Sequence, residues 1–362
     1  MQDIGWLIPI AGGLIGLVIG AVARHDRFCI LAGLERHWYA NDSNGLRSWI
    51  LAAASAIAAT QAMALGGLVD LSGSFYLSAS FGWSGAILGG LAFGFGMALV
   101  GTCGFGALLR LGGGSLRSLV VLLVLGLSAL AAQRGLIAQA RVAMVDDLAA
   151  DLSFAGDQSI ASLASALLGF DAQPLTAAVV VVLLLTWIFW AADYRRQTRH
   201  IVTAVVIGGG ISLGWLVTSW GAGHAFEPIQ IEAGSFVVPV GDTLLQFIAL
   251  TGELPDYGVG LVIGITLGAA AVAWRKHDVR WEACDDAREL GRHIVGAFLM
   301  GAGGVFALGC TIGQGVSAAS VLALSAPVVM LSIALGARLG LSYLLEGSLW
   351  SAFRITRRNP AE

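Results

Sequence analysis

The sequence predicts an all-α protein that crosses a membrane many times. Three observations carry that expectation. Of 362 residues, 57% are hydrophobic and only 12% are charged, whereas about a quarter of a soluble globular chain is charged. Apolar runs recur that exceed the roughly 18 residues that mark a spanning helix. Arginine and lysine are gathered into a few short segments between those runs, the pattern of loops that stay on one side of a membrane. The thin basic content also argues against nucleic-acid binding, which needs a dense positive patch. The formal net charge of −3 says little, because two faces share it.

Uncharged runs place the spans in order. The first is Ile4–Ala23. Its leader, MQDIGWLIPIAGG, lacks the basic start of a cleaved signal peptide, so it reads as a span that stays. Ser48–Val69 is the second. Residues 71–109 carry no charge and are too long for one helix. Ser118–Gln133, Ala172–Ala192, Ile201–Gly223 and Tyr257–Trp274 follow. Residues 294–337 are again uncharged and must hold two spans, which brings the expected count to about nine. Four arginines lie in 24–47, three in 193–200, five Arg or Lys in 275–292 and three in 354–358. Segment 221–256 has five acidic residues and no Arg or Lys, and 136–173 has five Asp against one Arg. Positive loops face the cytoplasm, so the N-terminus is expected outside and the C-terminus inside. Trp6, Trp38, Trp49, Trp220 and Trp350 fall near span ends, as an interfacial belt would. His224 and Glu227 read as solvated.

A pattern repeats across the chain. GFGMALVGTCGFG surrounds Cys103, and GAGGVFALGCTIGQG surrounds Cys310. A shift of 207 residues puts Gly89 on Gly296, Gly94 on Gly301, Gly96 on Gly303, Cys103 on Cys310 and Gly106 on Gly313. Five span steps separate the copies, so they should run in opposite directions, as in inverted-repeat transporters with broken helices. This divides one integral membrane domain into a first repeat at 1–135, a connecting segment with two spans at 136–255 and a second repeat at 256–362. Gly12, Gly16 and Gly20 also match Gly260, Gly264 and Gly268, but in the same direction; that match reads as helix packing on small residues.

The glycines around each thiol (Gly101 and Gly104; Gly309 and Gly313) permit a sharp break. Irregular backbone survives at membrane depth only where protein buries it or a cavity receives it. Each break therefore reads as a re-entrant hairpin whose half-helix points its N–H groups at an anion. Cys29, followed by the short apolar ILAGL, opens a third such element. The plain alternative is that a cysteine is a small buried hydrophobe. Two thiols at matching breaks weigh against it. Cys284 reads as a loop residue. No C-x-x-C pair and no neighbouring His marks a metal site at Cys103 or Cys310, and no cofactor is expected. Gln314 should line the cavity behind Cys310. Arg110 should stand at the inner rim, and Arg338 either faces the path or reaches to the interface. Gln61 reads as a hydrogen-bonding residue between helices.

With RFCI around Cys29 and the two glycine–cysteine motifs, the chain resembles the YeeE/YedE family of sulfur-compound transporters. The resemblance implies an hourglass of spanning and short re-entrant helices in the inner (plasma) membrane. It implies thiosulfate or a related sulfur anion as substrate, with Cys29, Cys103 and Cys310 marking the path. It also implies a small soluble sulfurtransferase of the TusA type as partner. One branch handles selenium compounds, which the motifs leave open. Thiosulfate is a dianion, and neutral S–H groups in series would pass it by weak, stepped hydrogen bonds without a persulfide. Two other classes stay open: a membrane-embedded thiol enzyme that moves sulfane sulfur, and a soft-metal carrier with three thiolates. No acidic residue lies inside the long uncharged runs to couple transport to protons.

Overall fold

The computed structural model describes residues 3–225, 228–249 and 254–348. Glu227, Trp350 and the arginines at 354–358 lie outside the described residues. The chain is almost entirely helical. Long α1 (Asp3–Asp26) leads to short α2 (Ile30–Tyr39), then α3 (Asn44–Leu65), α4 (Trp83–Val100), short α5 (Gly104–Gly112) and α6 (Leu116–Arg134). The small α7 (Leu136–Arg141) and α8 (Ile160–Leu168) precede α9 (Gln173–Phe189) and the single turn α10 (Ala192–Arg195). Then come α11 (Thr198–His224), α12 (Val238–Ile248), α13 (Tyr257–Arg275), α14 (Ala287–Phe306) and α15 (Ser325–Glu346). Between α14 and α15 the chain is helical from 311 to 320, widened to a π turn over Gly313–Ala318. A two-residue strand pair, β1 (Ser80–Phe81) with β2 (Ala150–Asp151), ties the loop before α4 to the loop before α8.

Seven helical segments among the described residues are long and apolar enough to cross a membrane. They contain α1, α3, α4, α6, α11, α13 and α15. The 17-residue α9 falls within the run Ala172–Ala192, and α14 begins with two charged turns before its apolar body. The outward faces are apolar: Leu14, Leu183 and Leu331 are each more than 60% exposed. Such surface suits hydrocarbon, not water. Trp6 and Trp220 are exposed near helix ends, as expected of a belt. Trp49 is not. It is 5% exposed, and its ring closes on Gly315, where a methyl group would stand 2.0 Å from it. The tryptophan sits near a helix end in sequence, but the 311–320 helix lies over it.

Helices in lipid gain little from the hydrophobic effect, so close contact over small residues holds them. Glycine provides that contact twice. Helices α1 and α13 run side by side: a methyl at Gly16 would stand 2.5 Å from the Leu261 carbonyl oxygen, and one at Gly264 only 2.1 Å from that of Gly13. Their matched glycine rows are therefore a packing seam. Helices α4 and α14 run antiparallel, Gly89 against Gly303 and Gly96 against Gly296. Helix starts are locally encoded: Asp256 and Asp286 accept from the N–H groups of Val259 (2.8 Å) and Glu289 (2.6 Å), three residues on. Gln61 joins three elements. Its amide donates to the Ser320 carbonyl at 2.9 Å and accepts from Gln173 at 3.2 Å.

Candidate functional site: three cysteine-capped helices and a basic vestibule

Each of the three cysteines singled out by sequence occupies the same structural position, the residue before a short helix. Cys29 precedes α2 and Cys103 precedes α5, both with extended backbone. Cys310 precedes the helix at 311–320. In each case the cysteine carbonyl accepts the first helical bond: from Gly33 at 3.1 Å, from Ala107 at 2.9 Å and from Gln314 at 2.8 Å. At Cys310 the sulfur also accepts from the Gly313 N–H at 3.3 Å. A helix of 9 or 10 residues is about 15 Å long at 1.5 Å per residue, half of the hydrocarbon thickness. Its free N–H groups carry partial positive charge and favour an anion by roughly 0.3–1 kcal/mol per helix end.

The breaks that place these helices share a backbone device. Helix α4 ends at Gly101, whose φ of +77° is the left-handed conformation that glycine adopts freely. The equivalent of Gly101 in the second half is Leu308, which also takes a positive φ of 56°. A side chain there is strained by roughly 1–2 kcal/mol. The turn geometry recurs although the residue does not.

The thiols form one group. Cys103 stands within electrostatic reach of both Cys29 and Cys310 and faces the Thr311 hydroxyl. Cys103 and Cys310 are 3% and 0% exposed, while Cys29 is half-buried. Cys29 lies on the wall of a cavity of about 710 Å³, with Thr102 and Gly106, the neighbours of Cys103, beside it. Seven Arg or Lys residues line that cavity: Arg24, Arg27, Arg36, Arg110, Arg117, Lys276 and Arg280. Three carboxylates, Glu35, Asp278 and Glu282, oppose them. Among the described residues, ion pairs engage Arg24 and Arg280 with Asp278, and Arg117 with Glu289. Arg27, Arg36, Arg110 and Lys276 enter no ion pair among the described residues, and the lining keeps an excess of positive charge. A concave wall of one sign focuses its field on an anion inside. Lys276, Arg24 and Arg27 were expected only as markers of a basic face; the fold turns them onto one cavity.

The other sequence candidates separate. Arg110 donates to the Gly101 carbonyl at 2.9 Å and lines the cavity, so it bridges the break that it follows. Arg338 is stacked 5.6 Å from the centre of the Trp38 ring, outside the cavity wall. Gln314 is fully buried and used within the protein: it donates to the Ala307 carbonyl at 2.8 Å and accepts from Ser325 at 3.1 Å. It holds the break around Leu308 and Gly309 closed. Gly104 leaves room for the Phe236 carbonyl, 3.0 Å from where a methyl would stand, and Gly313 leaves room for Ser235 and Tyr76. Cys284 is outside the group. Its sulfur meets His293 Nδ1 at 3.9 Å.

Sequence reasoning missed the segment that enters from the middle of the chain. Residues 231–237, which follow α11 in the chain, fold inward and press on both cysteine helices. The Phe236 backbone bonds to Cys310, and its ring packs 5.2 Å from that of Phe105 on α5. Ser317 donates to the Gly234 carbonyl at 2.7 Å. Tyr76, 1% exposed, faces Ser235 and lies within electrostatic reach of Cys310 and Glu232. The only sequence signal was the small-residue AGS following Glu232, which resembles neither cysteine motif.

Fold and site together define a multi-pass helical membrane protein of the transporter class. The chain belongs to the sulphur transport family, whose model matches residues 25–339. It is 27% identical over 331 residues to the thiosulfate transporter TsuA of Escherichia coli (strain K12), covering 84% of this chain and 86% of that one. It is also 27% identical over 262 residues to the thiosulfate transporter TsuA of Spirochaeta thermophila, covering 70% and 75%. The chain is thus a transporter of sulfur compounds, and its role is transport, not catalysis.

Proposed function

We propose that the chain imports thiosulfate, or a closely related sulfur anion, across the inner (plasma) membrane, N-terminus outside and C-terminus in the cytoplasm. The observation that carries this reading is the meeting of three cysteine-capped helix starts beside a net-positive cavity. The names of the two relatives support the substrate. The anion passes Cys310, then Cys103, then Cys29, and leaves through the basic vestibule. Neutral S–H groups donate weakly at each step, so no single site traps a dianion. A thiolate would repel it. Helices α2, α5 and 311–320 act as re-entrant elements, and with nine spans they build an hourglass.

An inverted repeat accounts for the arrangement. The 207-residue correspondence exchanges the two contacts Gly89–Gly303 and Gly96–Gly296, as an isologous two-fold contact requires. It also pairs the two left-handed turns at Gly101 and Leu308. The arginines of the vestibule mark the cytoplasmic face by the positive-inside rule. A TusA-like sulfurtransferase receives the anion there, and its consumption draws more in.

The test is uptake of labelled thiosulfate into cells lacking other sulfate-type importers. Cys29→Ala, Cys103→Ala and Cys310→Ala lose uptake, and Cys284→Ala keeps it. Loss in Cys284→Ala, or uptake retained by the other three, refutes the path. A mixed persulfide trapped on Cys103 during turnover refutes the non-covalent relay. Wild-type cells that concentrate a selenium analogue and ignore thiosulfate would reassign the substrate.

A further inference from the structure

A dianion entering against an inside-negative potential works against the field on both of its charges. The long uncharged runs offer no acid to carry a compensating proton, but the inward-folding segment does. Glu232 lies on it, four residues from Phe236, whose backbone touches Cys310. The Glu232 backbone is fixed on α11: the Thr218 hydroxyl donates to its carbonyl at 2.8 Å, and its own N–H reaches that hydroxyl at 3.3 Å. Its carboxyl points at the start of α13 and bonds to the Gly258 backbone. A methyl at Gly258 would stand 3.2 Å from the Glu232 Oε1.

Two tyrosines flank the carboxyl, both 1% exposed. Tyr76 lies within electrostatic reach of both Glu232 and Cys310. Tyr257 reaches in from α13. Its hydroxyl is buried against Gly214, it lies within electrostatic reach of Glu232, and it has no hydrogen-bond partner among the described residues. A buried hydroxyl without a partner is free to take up a hydrogen bond and marks a place where a proton can move. The other charged groups facing this spot are Asp256, ahead of α13, and Asp242 on α12, which itself faces Arg134 on α6.

We propose that Glu232 binds a proton on the outer half of the path, beside Tyr76 and Tyr257, and that the proton enters with the sulfur anion. This inference rests on the thiosulfate reading. Burial, and then the negative charge of Asp256, push the Glu232 carboxyl well above its usual range, which favours its protonated form. One proton halves the net charge that crosses. It leaves on the cytoplasmic side, where the pH is higher. The role of Glu232 as an acceptor for the Gly258 N–H is a structural one that a glutamine also fills, so the two roles can be separated.

The experiment uses the purified full chain in phospholipid vesicles, with the potential clamped by valinomycin and potassium. Labelled thiosulfate accumulation is compared with and without an acid-outside gradient of one pH unit. One coupled proton raises wild-type accumulation by about tenfold, since one pH unit is 1.36 kcal/mol. In Glu232→Gln the ratio of accumulation with and without the gradient falls to about one. A wild type indifferent to the gradient, or a Glu232→Gln protein that responds as wild type does, overturns the proposal. If Glu232→Gln does not fold, Glu232→Asp keeps a titratable group one methylene shorter and must shift the pH profile; an unmoved profile is equally fatal. If wild type moves no thiosulfate in any arm, the substrate reading falls, and the proton site is judged by infrared titration of the purified protein. A protonated-carboxyl band present in wild type and missing from Glu232→Gln upholds it, and identical spectra reject it.

Discussion

Replacing Gly96 by alanine tests the packing that positions the first cysteine break. The new methyl would stand 2.4 Å from the Gly296 carbonyl oxygen, 3.0 Å from the Leu299 Cβ and 3.1 Å from the Met300 nitrogen. Ordinary contact begins near 3.4 Å, so α4 and α14 must separate by nearly 1 Å. Two of the three obstructing atoms are main chain and cannot rotate away. Overpacking of this kind costs about 1–3 kcal/mol, occasionally more, and alanine returns about 1 kcal/mol of helix propensity. The clash wins, by about 2 kcal/mol if the backbone pair resists fully, which is roughly a 30-fold shift in equilibrium. The control is Gly291→Ala in α14, where a methyl meets nothing within 4 Å. It gains propensity without a clash and stabilises by up to about 1 kcal/mol. The assay is a thermal melt read by a thiol-reactive dye, because Cys103 and Cys310 are buried until the fold opens. Gly96→Ala melts below wild type and Gly291→Ala at or above it. A Gly96→Ala protein that melts at or above wild type refutes the seam as drawn.

Arg110→Gln removes a vestibule charge and the charged donor to the Gly101 carbonyl; at about 1.5 kcal/mol for such a bond, initial uptake falls roughly tenfold. Rates at low and high salt check it, since the electrostatic share fades with screening. A charged, membrane-impermeant thiol reagent modifies Cys29 in inside-out vesicles and leaves Cys103 and Cys310 intact, as mass shifts on the intact protein will show. Leu308→Gly relieves the left-handed strain at a residue already 41% exposed; the gain of about 1–2 kcal/mol exceeds the 0.5–1 kcal/mol that glycine's chain freedom takes back, so the melt rises slightly. Uptake strengthens as external pH falls: Glu232 has a raised carboxyl, its neutral form is filled below that raised value and lost above it, and initial rates across external pH give the sign.

The membrane class, the long helices and the three cysteine positions were legible in the sequence because each is a local property. A long uncharged run in lipid satisfies its backbone groups most simply as helix, and a cysteine among glycines marks a break whatever packs on it. Gly89, Gly96, Gly296 and Gly303 could be matched by spacing alone, but only the packed helices showed which glycine meets which. Other assignments needed the whole fold. Trp49 has the sequence of an interfacial residue and is buried, because a helix more than 260 positions later covers it. Gln314 sits four residues after Cys310, yet its hydrogen bonds are spent on Ala307 and Ser325. Glu232 belongs by composition to an acidic outer segment, and only the inward fold of 231–237 brings it within electrostatic reach of Tyr76, which also senses Cys310. Hydropathy and breaks are set by neighbours along the chain, so the sequence by itself determined where the chain crosses and where it bends. Which side chains share one cavity is set by contacts between residues hundreds of positions apart, and only the tertiary structure decided that.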